Sequence, residues 1–357
     1  MSRREYDESD VRIRPNKRGS KPRSKDRPKH ENAVLARVIG VDRGRYQSVV
    51  NEGDAGERTV QAMRARELRR QAIVPGDLVG MVGDTSGAQG SLARIVRIQD
   101  RSTLLRRSAD DTDEVERVVV ANADRLVIVV AAADPEPRTG FIDRALVAAH
   151  DAGITPVLVI TKADLREPSE LVRCYTPLVS RVIVSRSDDE NVENPALSSE
   201  AVEALRSELD GHISALLGHS GVGKSTMVNA LTGAGRATGH VNAVTGRGRH
   251  TSSSAIALKL PGANPGSWIV DTPGVRSFGL AHVPPEGVVN AFEDLVDATA
   301  DCPRGCTHAE DSPGCALDGW VASGHAGVFG AARLESLRRL LASRQDDTQA
   351  EKELGNH

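Results

Sequence analysis

The chain has 357 residues, 39% of them hydrophobic and only 3% aromatic, with a formal net charge of −3. That length and apolar content suffice for two or three domains with cores built from Val, Leu, Ile and Ala, whereas so few aromatic rings argue against a broad stacking platform for single-stranded RNA. No stretch is apolar for long enough to span a membrane and the start MSRREYDESD lacks the apolar run of a signal peptide, which points to a cytoplasmic protein.

The charge is unevenly spread. Residues 11–30, VRIRPNKRGSKPRSKDRPKH, hold nine Lys or Arg against one acid, with Pro, Ser and Gly between the charges, so residues 1–32 read as a disordered basic arm. Such an arm suits a polyanion, because each phosphate it contacts releases a counterion; the plainer reading is a solubilising tail. Over residues 33–105 short β-rich runs alternate with turn signals: AVLARVIGV, RYQSVV, ERTVQAM, DLVGMVG and SLARIVRIQ. Five strands at this spacing predict a small barrel. An OB-fold barrel, a type that often binds RNA, is favoured, and an SH3-like barrel fits the same periodicity.

Over residues 112–282 the pattern becomes α/β. Apolar runs at 124–134, 155–164, 180–185, 214–221 and 267–274 end in polar loops, as buried parallel strands do, with helical stretches such as FIDRALVAAHDAG between them. A ligand of such a sheet sits at the carboxyl ends of its strands. Residues 283–357 are mainly helical in pattern, closing with AARLESLRRLLASRQ.

The motifs cluster on that carboxyl edge. GHSGVGKST, residues 218–226, fits G-x-x-x-x-G-K-[ST]. Gly218, His219, Ser220, Gly221, Val222, Gly223, Lys224, Ser225 and Thr226 would wrap a phosphate in backbone N–H groups at a helix N-terminus, with Lys224 reaching the β- and γ-phosphates and Ser225 holding Mg²⁺. DTPG, 271–274, supplies Asp271 to the Mg²⁺ shell and the Gly274 N–H to the γ-phosphate. TKAD, 161–164, reads guanine: the Asp164 carboxylate accepts its ring N–H and its exocyclic amine, while the stem of Lys162 covers the ring. Thr161 stands where GTPases usually carry Asn, and its hydroxyl can still brace the loop. Ser185, after the next strand, is placed to offer a backbone N–H to the guanine oxygen. GRGRHTSSS, 246–254, is the expected first switch, with Thr251 or Ser252 offering a second hydroxyl to Mg²⁺. Val275 occupies the position where many small GTPases carry a water-orienting Gln; His250 is a candidate for that task, or is simply solvated.

Cys302, Cys306, His308 and Cys315 make a C-x₃-C-x-H-x₆-C set. Three thiolates and an imidazole suit a closed tetrahedral Zn²⁺ site, structural because no position is left open. Cys174 and His325 have no partners in the pattern.

In ordinary small GTPases the phosphate loop opens the domain. Here the order is base recognition, phosphate loop, switch, DTPG, so the domain is circularly permuted. The chain resembles the ribosome small-subunit-dependent GTPase A family, also called RsgA or YjeQ, over almost everything after the arm: VPGDLV, RSTLLRR, FIDRALV, TKADL, GHSGVGKSTMVNAL, GRGRHT, DTPGVRSFGL, PGCAL and RLESLRRLL. The resemblance implies an N-terminal OB-fold, a permuted GTPase and a C-terminal zinc domain, acting with GTP and Mg²⁺ on the small ribosomal subunit and its rRNA in late maturation; a monomer is expected. Two positions depart from the family: Thr161, and the cysteine spacing, which is usually C-x₄-C-x-H-x₅-C. From another class, an RNA-binding scaffold with structural nucleotide is the runner-up, favoured by Val275. An ATPase is disfavoured by Asp164.

Overall fold

Alternating burial closes the first five strands on themselves. They are β1 (Val34–Asp42), β2 (Arg45–Val50), β3 (Arg58–Arg64), β4 (Leu78–Gly83) and β5 (Ala93–Ile98). β1 pairs antiparallel with both β2 and β4, β4 pairs with β5, and β3 runs parallel to β5. That circuit is the OB arrangement, and it decides between two barrels that periodicity leaves open. Fully buried Val38, Val50, Val60, Val79, Met81 and Ile95 fill the inside. The turn before β4 is fixed by buried Asp77, which accepts the Val74 N–H at 2.9 Å and the Arg101 guanidinium at 2.7 and 2.8 Å.

In this computed structural model the residues described are 30–68, 71–107, 117–187, 197–234, 255–272, 280 and 282–354, with side chains through 342. The arm up to residue 29 lies outside them, as do His250, Thr251, Ser252, Gly274 and Val275.

β6 (Leu104–Arg107) and β7 (Arg117–Ala121) form a separate two-stranded sheet, which the sequence pattern does not announce. Six more strands follow: β8 (Arg125–Ala131), β9 (Thr155–Thr161), β10 (Arg181–Val184), β11 (Ile213–Leu217), β12 (Ile256–Lys259) and β13 (Trp268–Asp271). Five of them are parallel in the order β10-β9-β8-β11-β13. Their runs are continuously apolar because both faces are covered: along β8, Leu126, Ile128 and Val130 enter one core while Val127, Val129 and Ala131 enter another. The covering helices are α1 (Thr139–Asp151), α2 (Ser169–Tyr175), α3 (Ser199–Leu209) and α4 (Lys224–Thr232). β12, unexpected from the sequence, runs antiparallel to β13 and touches β1. Among the described residues, eleven strands thus make one continuous sheet.

Beyond it lie α5 (Pro285–Asn290), α6 (Glu293–Val296), α7 (Ala316–Ala322) and α8 (Gly330–Leu354). Phe292, Leu295, Leu317, Leu337 and Leu340 share the core that α1 enters. A buried polar knot joins the same helices: Asp143 of α1 accepts the Tyr175 hydroxyl at 2.9 Å and the Ser336 hydroxyl of α8. Arg333 of α8 pairs with Asp294 at 2.6 Å. Among the described residues no helix is long and apolar enough to cross a membrane.

Candidate functional site

β11 runs into the phosphate-loop motif through Gly218. A Cβ at this position would stand 2.5 Å from the Val129 carbonyl oxygen, so only glycine lets the chain turn this close to β8. α4 begins at Lys224 with Gly223 as its N-cap at φ 93, and its first-turn N–H groups have no intrahelical partners, which is what an anion needs. The Lys224 ammonium donates to the Gly218 carbonyl and, at 2.9 Å, to that of His219. Burial pulls this ammonium below its ordinary value, and the Asp271 carboxylate pulls the other way; a phosphate would reinforce the second effect. Asp271 ends β13 in a buried position, and the Thr272 hydroxyl donates to the Leu216 carbonyl at 2.7 Å. The start of DTPG is thereby locked to the strand that feeds the phosphate loop.

TKAD meets that loop from the neighbouring strand end. Thr161 is fully buried, its hydroxyl 2.8 Å from the Val222 carbonyl and 3.2 Å from that of Val130. The hydroxyl's single proton serves the shorter contact. A threonine therefore ties TKAD to the phosphate loop where most GTPases use an amide. Lys162 donates to the Asp134 carbonyl, and Asp164 accepts the Ser187 N–H at 2.9 Å, which sets the rotation of its carboxylate. Ser185 differs from expectation. Its N–H donates to the Ile160 carbonyl at 2.8 Å, and its hydroxyl accepts from the Ser198 N–H at 2.9 Å. That N–H is committed to the sheet edge, so it is not the donor for a guanine oxygen.

One wall of the site has no signature in the sequence. The loop from Ala132 to Arg138 is held by TKADLR itself: Arg166 bonds the Ala132 carbonyl, at 2.8 Å through Nε, and pairs with Glu136 at 2.6 Å. Between this loop and His219, Ser220 and Val222 lies a cavity of about 330 Å³. The His219 ring packs on Phe141 of α1 with centroids 4.5 Å apart. Contacts to carbonyl oxygens carry no residue-type signal, which is why motif reading passes over them.

The cysteine cluster assembles as expected. One ligand atom from each of Cys302, Cys306, His308 and Cys315 lies within 4.8 Å of the others. His308 Nδ1 is 3.7, 3.6 and 3.8 Å from the Sγ atoms of Cys302, Cys306 and Cys315, close to the edge of about 3.6 Å that Zn–S and Zn–N bonds span in a tetrahedron. Burial pushes the Cys315 thiol up to about 11, which a bound cation would reverse. Arg338 of α8 braces the loop, donating to the His308 carbonyl at 3.2 Å and pairing with Asp318 at 2.7 Å. The donor set fits a structural metal. Cys174 and His325 lie apart from this cluster, His325 stacking on Trp320.

The family model for the RsgA GTPase matches residues 98–281. The small ribosomal subunit biogenesis GTPase RsgA of Pseudomonas aeruginosa is 38% identical over 280 residues, 76% of each chain. That of Ectopseudomonas mendocina is 34% identical over 332 residues, 89% of this chain and 92% of its own. Among solved structures, YjeQ from Thermotoga maritima superposes with a TM-score of 0.63 at 24% identity, covering 87% of this chain and 98% of its own. YloQ, a circularly permuted GTPase, gives 0.63 at 20% identity, covering 90% and 98%. These two likenesses bear on the fold.

Proposed function

The chain belongs to the RsgA GTPase family and is a P-loop enzyme that hydrolyses GTP; we propose that it does so as a monomer on the small ribosomal subunit, late in that subunit's maturation in the cytoplasm, and leaves once GTP is spent. The observation that carries this reading is the bond from the Thr161 hydroxyl to the Val222 carbonyl. It joins TKAD, which is upstream in sequence, to the phosphate loop, and this supports the reading of one guanine-nucleotide pocket despite the permuted order.

In this pocket residues 218–226 hold the phosphates, and Lys224 neutralises the charge that grows on the γ-phosphoryl oxygens. Ser225, Asp271 and Thr251 would hold Mg²⁺, which would supply positive charge against that of the phosphate oxygens. Gly274 senses the γ-phosphate through its N–H. Asp164 selects guanine, Lys162 covers the ring, and the guanine oxygen falls to the amide after Ser185, that of Arg186. His250 places the attacking water, since Val275 cannot. Cys302, Cys306, His308 and Cys315 hold one structural Zn²⁺. The division of labour runs from a basic arm, 1–32, through an RNA-binding barrel, 33–105, and the GTPase proper, 112–282, to a zinc domain, 283–357.

Turnover measured with purified small subunits, with large subunits and alone tests the reading. Stimulation by small subunits only is expected. Equal turnover in all three, with tight subunit binding in either nucleotide state, would leave the scaffold reading, which Val275 favours.

A further inference from the structure

β12 and β13 form a hairpin whose two ends open on the two segments that should answer to the γ-phosphate. β12 starts at Ile256, just after GRGRHTSSS, and β13 ends at Asp271, the first residue of DTPG. Ile256 and Asp271 are register partners. On its other side Ile256 pairs with Gly40 of barrel strand β1. Gly40, Ile256 and Asp271 therefore lie in one row of the sheet, and the barrel is one strand away from the carboxylate assigned to Mg²⁺.

The barrel loop between β2 and β3 clamps this hairpin. The Trp268 indole N–H donates to Glu52, whose other oxygen takes Arg37 at 2.7 Å. Lys259 pairs with Glu57 at 2.6 and 2.7 Å, and Glu57 also accepts the Gly53 N–H at 2.8 Å. Gly53 sits at φ 81 directly on Pro265, where a Cβ would come within 2.7 Å of the proline ring. Ile39 and Val49 of the barrel are buried in the same cluster as Ala257, Trp268 and Val270 of the hairpin. With a single backbone rung between β12 and β1, the side-chain clamps must fix the hairpin's height against the barrel.

We propose that Glu52 and Glu57 are positioning residues for the nucleotide site: they hold the β12–β13 hairpin so that Asp271 and the roots of both responsive segments stand in their GTP-competent places. This rests on the role given to Asp271 above. Because such coupling is reciprocal, whatever occupies the barrel shifts the preference for GTP over GDP, and nucleotide state shifts the barrel's affinity for its partner.

The test uses the full chain, fluorescent GDP, a non-hydrolysable GTP analogue, a Mg²⁺ titration and thermal unfolding. Glu52→Gln should weaken the analogue about fivefold and raise the Mg²⁺ needed, while GDP affinity without Mg²⁺ stays within about twofold of the parent. Glu57→Gln should act in the same direction and more weakly, because its pair is partly exposed, with Lys259 at 43% and Glu57 at 27%. Should Glu52→Gln not fold, this second variant, at a half-open surface pair, keeps the comparison readable. The charge swap Glu57→Lys with Lys259→Glu should recover what Glu57→Lys alone loses. Folded variants with unchanged analogue affinity and Mg²⁺ requirement would overturn the proposal, as would a charge swap that recovers nothing. A parent chain that bound no GTP would instead remove the GTPase reading itself.

Discussion

Replacing Thr161 with Val isolates one hydroxyl at the joint of the site. Valine keeps the volume and β-branching of threonine in a fully buried strand position, but it leaves the Val222 carbonyl, now 2.8 Å from the hydroxyl, without that donor. An orphaned buried acceptor costs about 1–3 kcal/mol, so the folded chain should lose about that much, or roughly 2–4 °C in Tm per kcal/mol at this domain size. Binding suffers only to the extent that the freed phosphate loop relaxes and must be re-ordered around the nucleotide. The ceiling on that loss is the same 1–3 kcal/mol, and each ~1.4 kcal/mol is tenfold in Kd. GTP and GDP should weaken equally, because the brace joins base and phosphate-loop segments and does not meet the γ-phosphate. Thr161→Asn should retain affinity, its amide N–H taking over the bond. Fluorescent-nucleotide titration with a parallel melt measures both. A valine variant with parental Tm and Kd, or one that loses GTP alone, would show that this bond does not assemble the pocket.

Asp164→Asn should turn base preference from guanine toward xanthine, since an amide offers one donor and one acceptor where the carboxylate accepts twice; competition between GTP and XTP reads it, and continued preference for GTP would place base reading elsewhere. One zinc per chain is expected in freshly purified protein, and Cys306→Ser or chelation should loosen residues 302–322 while leaving α8 docked. The reason is that Arg333–Asp294 and Asp143–Ser336 tie α8 to helices outside the metal loop; hydrogen exchange reports it, and α8 exchanging together with the cluster would refute it. Asp143 carries a pH signature. Burial raises its carboxyl above the ordinary value, against hydrogen bonds from Ser336 and Tyr175 and the charge of Arg339. A carboxyl raised on folding contributes stability at pH below its unfolded value and loses it as pH rises through the folded one. Asp143→Asn, which keeps an acceptor for Tyr175 and a donor for Ser336, should flatten that decline in melts run from acidic to mildly alkaline pH. A variant that stays parallel to the parent across the range would place the ionisation elsewhere.

The parts of the molecule legible in the sequence were those where one residue type serves one purpose. Glycines that must turn, a lysine and serine beside a helix N-terminus, and three cysteines with a histidine all announced themselves, and the structure brings each set together. The barrel's strands were legible and its type was not, because period-2 burial records only which residues face inward; the β3–β5 pairing that makes it OB is set by non-local contacts. β12 is not legible because IALK is too short, and too close to polar residues on its N-terminal side, to stand out as a strand. The Ser185 N–H is hidden for a related reason: whether an N–H belongs to a ladder or is left for a ligand depends on where the strand ends, and this one bonds the Ile160 carbonyl. The roles of Glu52 and Glu57 are not legible because they meet Trp268 and Lys259 across sequence separations of 216 and 202 residues.

Circular permutation changes what the second responsive segment is attached to. The first leaves α4 and returns at β12, which pairs with the barrel through Gly40 and Ile256. The second leaves β13 just after Thr272, pinned to the Leu216 carbonyl, and the chain is again in the core at Leu280 and Val283. It then enters α5, which packs on α1 and α8. In an unpermuted GTPase the second segment would be followed by the base-reading half of the same domain. Here that half comes first, so the second segment leads directly into the C-terminal helices, while the first, anchored in the nucleotide fold at both ends, meets the barrel through β12. Contact with a γ-phosphate can therefore reach the barrel through the β12–β1 pairing and its side-chain clamps, and the C-terminal helices through the chain that follows β13. Severing the barrel clamp should leave the second route intact, and loosening the metal loop should leave the first.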